Sequence, residues 1–475
     1  MSRLVFYGFA LVLELAIAVS LLSCHSGIGR EDLLSSVPRN AVMVKAVNLE
    51  ALCSEAGCSL PSRDDSLSRL SATLAACAVE PDLRGVFSLV VEEGAGNVDF
   101  TTVVSFTSSA GRDVALMGVS SRGALLNGLL RRLPSAGEDA PALTADDGFE
   151  FLQVGGGVVA VRDGVCYISR DLNDIKDAVV HAQTASIQAL TGIAGFFEED
   201  APACIAVNCA RSPLSFLGGE DRWLCVDFKT SQRELTARAR VFSDSGAVDS
   251  IGTRFNTIDL DILRFVPRDV AVLVAFGRFS GNQRSLSMFL GRFMPVYMPQ
   301  ADGSTVLFAT PVGAPDDVVA GRPGSWRVGT VVHLPGAIAD SCIAKYRASA
   351  PPDVRLTGSD MYSYSVDGLE YCFGKYGDYV AFSSGGAVVD GSGGEAYDEL
   401  LRDRRAVMSV SAPAGSLLAR AWRLSGGLSF SLVVHADAVE AKMVVDGESR
   451  TALAVLLSLE RFPDFYERFR VDTGR

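Results

Sequence analysis

The stretch Asp32-Leu33-Leu34-Ser35-Ser36-Val37-Pro38-Arg39-Asn40 returns 229 residues later as Asp261-Ile262-Leu263-Arg264-Phe265-Val266-Pro267-Arg268-Asp269. Each copy runs straight into an apolar segment, Ala41 to Val47 in the first and Val270 to Phe276 in the second. The pattern predicts a short helix, then a strand. A residue before proline is driven out of the helical region, and Asp32 or Asp261 suits the helix N-cap. Weaker matches follow in the same order. Thr102-Val103-Val104 resembles Thr330-Val331-Val332, the hairpin Val161-Arg162-Asp163-Gly164 resembles Phe373-Gly374-Lys375-Tyr376-Gly377, Cys204-Ile205-Ala206-Val207 resembles Val407-Met408-Ser409-Val410, and Ala237-Arg238 resembles Ala441-Lys442. Two copies of one domain, 31–256 and 257–475, account for these matches, with shorter loops in the second. The period is far too long for a solenoid.

Within each copy the expected order is helix, strand, one or two helices, two long strands, a helix, a meander, then a strand, a helix and a hairpin. Leu67, Leu70, Leu74 and Cys77 share one face of a helix over Asp65 to Val79. Val98, Phe100, Thr102, Val104 and Phe106 alternate with Asp99, Thr101, Val103 and Ser105. Gly155-Gly156-Gly157 supplies the positive φ that a tight meander turn needs. The closing hairpins alternate most clearly. Leu428, Phe430, Leu432 and Val434 interleave with Ser429, Ser431, Val433 and His435, and Leu235, Ala237, Ala239 and Val241 interleave with Thr236, Arg238, Arg240 and Phe242. Period-two patterning implies one buried and one polar face. The expected fold is α+β: two tandem copies of an antiparallel sheet with helices packed on one face.

A chain of 475 residues suits two or three domains at roughly 150 residues each. Its 48% hydrophobic and 21% charged residues exclude a disordered, collagenous or coiled-coil chain. A net charge of −13 repels polyanions, so no nucleic acid is expected as a partner.

The first residues read as an address. Arg3 precedes an apolar run from Leu4 to Leu22, broken by Glu14, and Leu21-Leu22-Ser23-Cys24 closes it. A charged start, an apolar stretch and a small residue describe a secretory signal. The last four residues resemble the bacterial lipobox, in which the cysteine is acylated and becomes the first residue of the mature chain. The expected organisation is therefore a signal peptide over 1–23 and a tether over 24–30 carrying palmitate or a related acyl chain on Cys24. Such an anchor holds a protein at a surface without spanning it. The alternative is an N-terminal membrane-spanning helix, since 18 or more apolar residues can cross a bilayer.

A lipobox followed by Val37-Pro38-Arg39-Asn40-Ala41 resembles the start of a group of uncharacterised Bacteroidota envelope lipoproteins with a domain of unknown function. That resemblance implies a cell-envelope location and brings no activity and no functional residues with it. His25, in place of an aspartate after the acylated cysteine, points to the outer membrane, with the inner membrane as the alternative.

Removing Cys24 from ten cysteines leaves an odd number, which cannot pair fully within one chain. Cys53/Cys58 and Cys204/Cys209 are each five apart, unlike the two-residue knuckle of zinc sites. Buried thiols acting as small hydrophobes account for most of them, and an oxidising compartment permits a Cys53–Cys58 disulfide. No metal site and no cofactor is expected. Of four histidines, His181, His333 and His435 are the ones a serine triad would have to use, and no Gly-x-Ser-x-Gly elbow accompanies them. Gly391-Ser392-Gly393-Gly394 lacks the Lys-Ser/Thr of a phosphate cradle, and Glu198-Glu199-Asp200 lacks the alternating ligands of a calcium loop. Arg39 and Arg268 sit at the repeated turn, where a structural role competes with binding. A sheet face carrying Arg238, Arg240, Lys442 and His435 is the candidate binding surface for an acidic partner or a lipid head group.

The function expected is thus a lipid-anchored envelope protein that binds or scaffolds another envelope protein or a ligand without catalysis. A carrier or chaperone for an apolar ligand and a hydrolase with an unfamiliar site are the alternatives. Radioactive palmitate fed to cells making the chain is expected to label the parent and to be lost in Cys24→Ala; equal labelling of the two removes the anchor.

Overall fold

The computed structural model describes residues 30–60, 68–133, 142–198, 203–212, 222–244, 246–248, 255–278, 303–320, 322, 324–349, 353–358, 361–366, 368–384 and 394–458. The signal segment, Cys24, His25, the loop at 391–393 and the acidic pair Glu199-Asp200 lie outside them. Two compact units divide the described chain: a first of 30–248 with 450–458, and a second of 255–449.

The first unit runs α1 (Arg30–Leu34), β1 (Met43–Val47), α2 (Leu49–Glu55), α3 (Arg69–Ala78), α4 (Arg84–Glu93), β2 (Val98–Thr107), β3 (Asp113–Val119), α5 (Arg122–Arg132), β4 (Thr144–Asp146), β5 (Phe149–Val154), β6 (Gly157–Arg162), β7 (Val165–Ser169), α6 (Leu172–Thr184), α7 (Thr191–Glu198), β8 (Ala203–Asn208), β9 (Trp223–Thr230), β10 (Glu234–Ser243) and β11 (Gly246–Val248). Its strands pair antiparallel in the order β4-β5-β6-β7-β3-β2-β1-β8-β9-β10-β11. The second unit contributes β12 (Val272–Phe276), β13 (Thr305–Pro311), α8 (Pro315–Ala320), β14 (Trp326–His333), α9 (Gly336–Ser349), β15 (Arg355–Gly358), β16 (Met361–Val366), β17 (Leu369–Tyr376), β18 (Tyr379–Ser384), α10 (Gly394–Leu401), β19 (Ala406–Ala412), α11 (Leu417–Ala421), β20 (Gly427–Val434) and β21 (Val439–Asp446). It repeats the antiparallel order, as β15-β16-β17-β18-β14-β13-β12-β19-β20-β21. The last helix, α12 (Ala452–Ser458), belongs to the first unit, where it packs on α3 and β10 and Ala452 N–H donates to Gln232 O at 2.9 Å.

The expected two separate sheets with helices on one face are corrected in both respects. Among the described residues, the 21 strands make one large antiparallel sheet, and in each unit helices cover both faces. In the first unit, Val44, Ala46, Val104, Phe106, Leu116 and Cys204 pack under α1, α6 and α7. On the opposite face α3 and α4 close over the sheet: the Ser105 hydroxyl donates to Ala78 O at 3.0 Å, and a Cβ on Gly157 would strike Val86. In the second unit, Val331 and Tyr379 pack with the 3-10 turn over Leu260–Phe265, while their neighbours Val332 and Val380 pack with α9. The physical reason lies in the central strands. Val114-Ala115-Leu116-Met117 and Cys204-Ile205-Ala206 are buried at every position, so each strand presents apolar surface both ways. Burying a Val, Leu or Phe side chain is worth about 1.5–3 kcal/mol, and a second helical layer follows. Alternation is clean in β10 and β21.

The ladder registers also realign the repeats. β13 takes the place of β2, so Thr330–Val332 of β14 correspond to Ala115–Met117 of β3 rather than to Thr102–Val104. Lys442 faces Ser431 as Arg240 faces Cys225, so Arg240, not Arg238, is its counterpart. The second helical start is a 3-10 turn whose N-cap is Asp259, accepting from Asp261 N–H.

One polar cluster lies under α3. Lys45, buried in β1, pairs with Glu80, and Thr107 Oγ1 donates to Asp113 at 2.8 Å. Burial first and the Glu80 carboxylate second push the Asp113 carboxyl up to about 6. A carboxyl held more tightly protonated in the folded state stabilises the fold below its unfolded value, and that contribution is lost as pH rises through about 6. Asp113→Asn is therefore expected to raise the melting temperature at about pH 7.5 and to leave it nearly unchanged at about pH 4. Melting curves with a pH-independent difference would remove this account.

Candidate functional site

The repeated turn builds the cleft. In the first unit Val37-Pro38-Arg39-Asn40 links α1 to β1, and it is pinned against the segment after α6: Arg39 N–H donates to Ala185 O and Ile187 N–H to Val37 O, both at 2.9 Å, with a bridge between Pro38 and Ser186. Beside it opens a cavity of about 290 Å³ lined by Arg39, Asn40, His181, Arg211, Trp223 and Asp244, among others.

Each lining group has its own support. Arg39 Nη2 pairs with Asp244 Oδ2 at 2.9 Å, both side chains about half exposed. The Asp244 carbonyl accepts from Thr191 Oγ1 at 3.0 Å and from Gly192 N–H at 3.2 Å, which ties the start of α7 to the end of β10. Only glycine permits that approach, since a Cβ on Gly192 would lie 2.5 Å from Ser243 O and 2.6 Å from Gly246 N. Arg211, just beyond β8, is set by its N–H donating to Asn208 Oδ1 at 3.2 Å, and its Nη1 donates to Asn40 O at 3.3 Å. Asn208 is itself held by its N–H donating to Val42 O at 2.8 Å. His181 occupies the last turn of α6, and buried Trp223 and Leu190 supply apolar wall. Two guanidiniums and an imidazole thus converge, with one carboxylate opposing them. The surplus favours a ligand carrying a single negative charge, and a guanidinium meets a carboxylate with two parallel hydrogen bonds.

The second unit closes the equivalent turn. The Tyr397 hydroxyl on α10 donates to Arg268 O at 2.7 Å and accepts from Val270 N–H at 3.1 Å. By chain offset from β8 and β19, Ala194 stands in the first unit where Tyr397 stands in the second. Arg268 thus belongs to a filled turn and Arg39 to an open one.

The sheet-face candidates are placed differently. Arg238 and Arg240 belong to the first unit, Lys442 and His435 to the second. Arg238 lies opposite Asp227 in the ladder. Arg240 pairs with Asp227 at 3.4 Å and sits over the Phe242 ring, 5.2 Å from its centre. Lys442 follows Glu440 two residues along β21, and Arg404 Nη1 donates to His435 Nδ1 at 3.2 Å when that nitrogen is unprotonated. The stripe is punctuated by acids and internal partners. Arg211, Asn208, Trp223 and Asp244 were not singled out by the sequence, because only the β1–β8 pairing brings 208–211 beside residues 40–42.

No family model matches the chain, and no curated protein matches it. A solved structure titled "Structure of crystal form I of TP0453" is similar at 9% identity with a TM-score of 0.26, over 46% of this chain and 80% of that one, a likeness too slight to bear on fold or function.

Gly192→Ala is expected to cost about 1–3 kcal/mol in urea unfolding through the forced separation of α7 from β10, whereas Gly195→Ala in the same helix, with open space around it, gains up to about 1 kcal/mol. Equal effects would show that the close approach does not hold the cleft wall.

Proposed function

We propose that this chain is a cell-envelope lipoprotein, acylated at Cys24, that binds a small organic carboxylate in the cleft of its first unit. The observation that carries the binding role is the convergence of Arg39, Arg211 and His181 on one cavity with a single opposing carboxylate, Asp244. The anchor rests on the apolar run ending at Cys24 and accounts for where such a binder would work. In an acidic protein of net charge −13, a locally cationic cleft selects its ligand against the surrounding field. Trp223 and Leu190 favour a carboxylate with an apolar body over a bare oxyanion.

Calorimetric titration of the full chain with benzoate, benzamide and inorganic phosphate tests this. Benzoate is expected to bind about tenfold or more tightly than its neutral isostere, and more tightly than phosphate. Arg211→Gln is expected to lose about tenfold in benzoate affinity with its melting temperature little changed, since Arg211 is exposed. Equal affinity for benzoate and benzamide, or tighter phosphate binding, overturns the ligand class.

A further inference from the structure

Helix α2 ends in a reversal that brings two thiols together. Gly57 is left-handed, at φ 78°; its N–H donates to Ser54 O at 3.0 Å, and the next N–H, of Cys58, donates to Cys53 O at 2.7 Å. These two bonds define a Schellman cap, in which the side chain three positions from the helix end meets the one just past the glycine. That contact is usually apolar. Here its two members are Cys53 and Cys58, two free thiols that the cap brings side by side. Cys53 is fully buried and Cys58 half-buried, so one thiol faces the entry and the other waits behind it. The equally spaced Cys204 and Cys209 show that spacing alone does not do this. Cys204 lies in extended β8 and Cys209 just beyond it, and a strand rising about 3.3 Å per residue carries them well past the roughly 7 Å between Cα atoms that a disulfide tolerates.

We propose that Cys53 and Cys58 form a redox modification site, closing to a disulfide across the cap of α2 by exchange with a low-molecular-weight disulfide. The Cys58 thiolate attacks one sulfur of the donor, forming a mixed disulfide and releasing the first donor thiol, which carries the proton Cys58 gave up. The Cys53 thiolate then attacks Cys58 Sγ, the protein disulfide forms, and the second donor thiol leaves with the proton from Cys53. Two protein thiols are oxidised and one donor disulfide is reduced to two thiols. Burial pushes both protein thiols up, so closure is slow near neutrality and accelerates about tenfold per pH unit while the attacking thiol remains protonated.

The full chain is incubated with oxidised glutathione, blocked with iodoacetamide and digested without reductant. The expected product is a Cys53–Cys58 bridge two hydrogens lighter than the dithiol. Cys53→Ala is expected to trap glutathione on Cys58. Cys58→Ser, at a half-exposed position that the fold tolerates, is expected to leave Cys53 unmodified until the protein is unfolded. A persistent glutathione adduct on Cys58 in the parent chain, a Cys58–Cys77 bridge, or two thiols still free after prolonged exposure at raised pH each overturns the proposal.

Discussion

Each unit depends on one strand that is paired on both edges and covered on both faces. β1 lies between β2 and β8, and β12 between β13 and β19. A strand so enclosed has no backbone group left for water, so its N–H and C=O groups must be met by its neighbours. Its side chains must be met by helices above and below. The turn that delivers the chain into this position is therefore tightly specified: proline fixes φ, and the apolar residue before it, Val37 or Val266, is fully buried. Few changes in that stretch leave the strand correctly registered, since a one-residue slip would exchange its two faces.

Enclosure also explains how charge enters the interior. Lys45 occupies the middle of β1, where alternation turns it toward α3, and its ammonium survives there because Glu80 meets it. Removing one member of such a pair costs more than the pair contributes, because the other is left buried and uncompensated. Asp113 sits at the margin of the same cluster, and burial first and the acid beside it second make its ionisation harder. The three groups form a polar seam beneath an apolar helical layer.

Much of the architecture was legible in the sequence, and the failures have physical causes. The repeated Val-Pro-Arg turn, the strands that follow it and the glycine turn of the meander were readable from proline, apolar runs and glycine. Gly155 and Gly156 indeed take positive φ. The layering was not readable, because a run such as Val114-Ala115-Leu116-Met117 tells only that a strand is apolar, and the clean alternation of β10 and β21 does not extend to such central strands. Strand β2 shows a second cause. Its register shifts between Asp99 and Val103, so Phe100 packs toward Gly94 at the end of α4 while Phe106 faces the opposite core; strict alternation put them together. The cleft was half visible: Arg39 stood out as part of the repeat, whereas Arg211 and Asp244 reach it only through pairings between distant segments.

The two repeated turns are held in different ways. In the second unit the Tyr397 hydroxyl bonds the backbone of Arg268 and Val270, so the turn is satisfied from within. In the first unit an alanine stands at the matching place. The backbone of the turn is satisfied instead by the stretch after α6, a helix that the shorter second unit does not offer among its described residues. The cavity lies between that supporting stretch, which with the end of α6 contributes Thr184 and Ala185 to its wall, and the ends of β8 and β10. A turn that needs a fixed backbone to start a buried strand can thus be closed in two ways, and the one that borrows a neighbouring segment has a cavity beside its arginine.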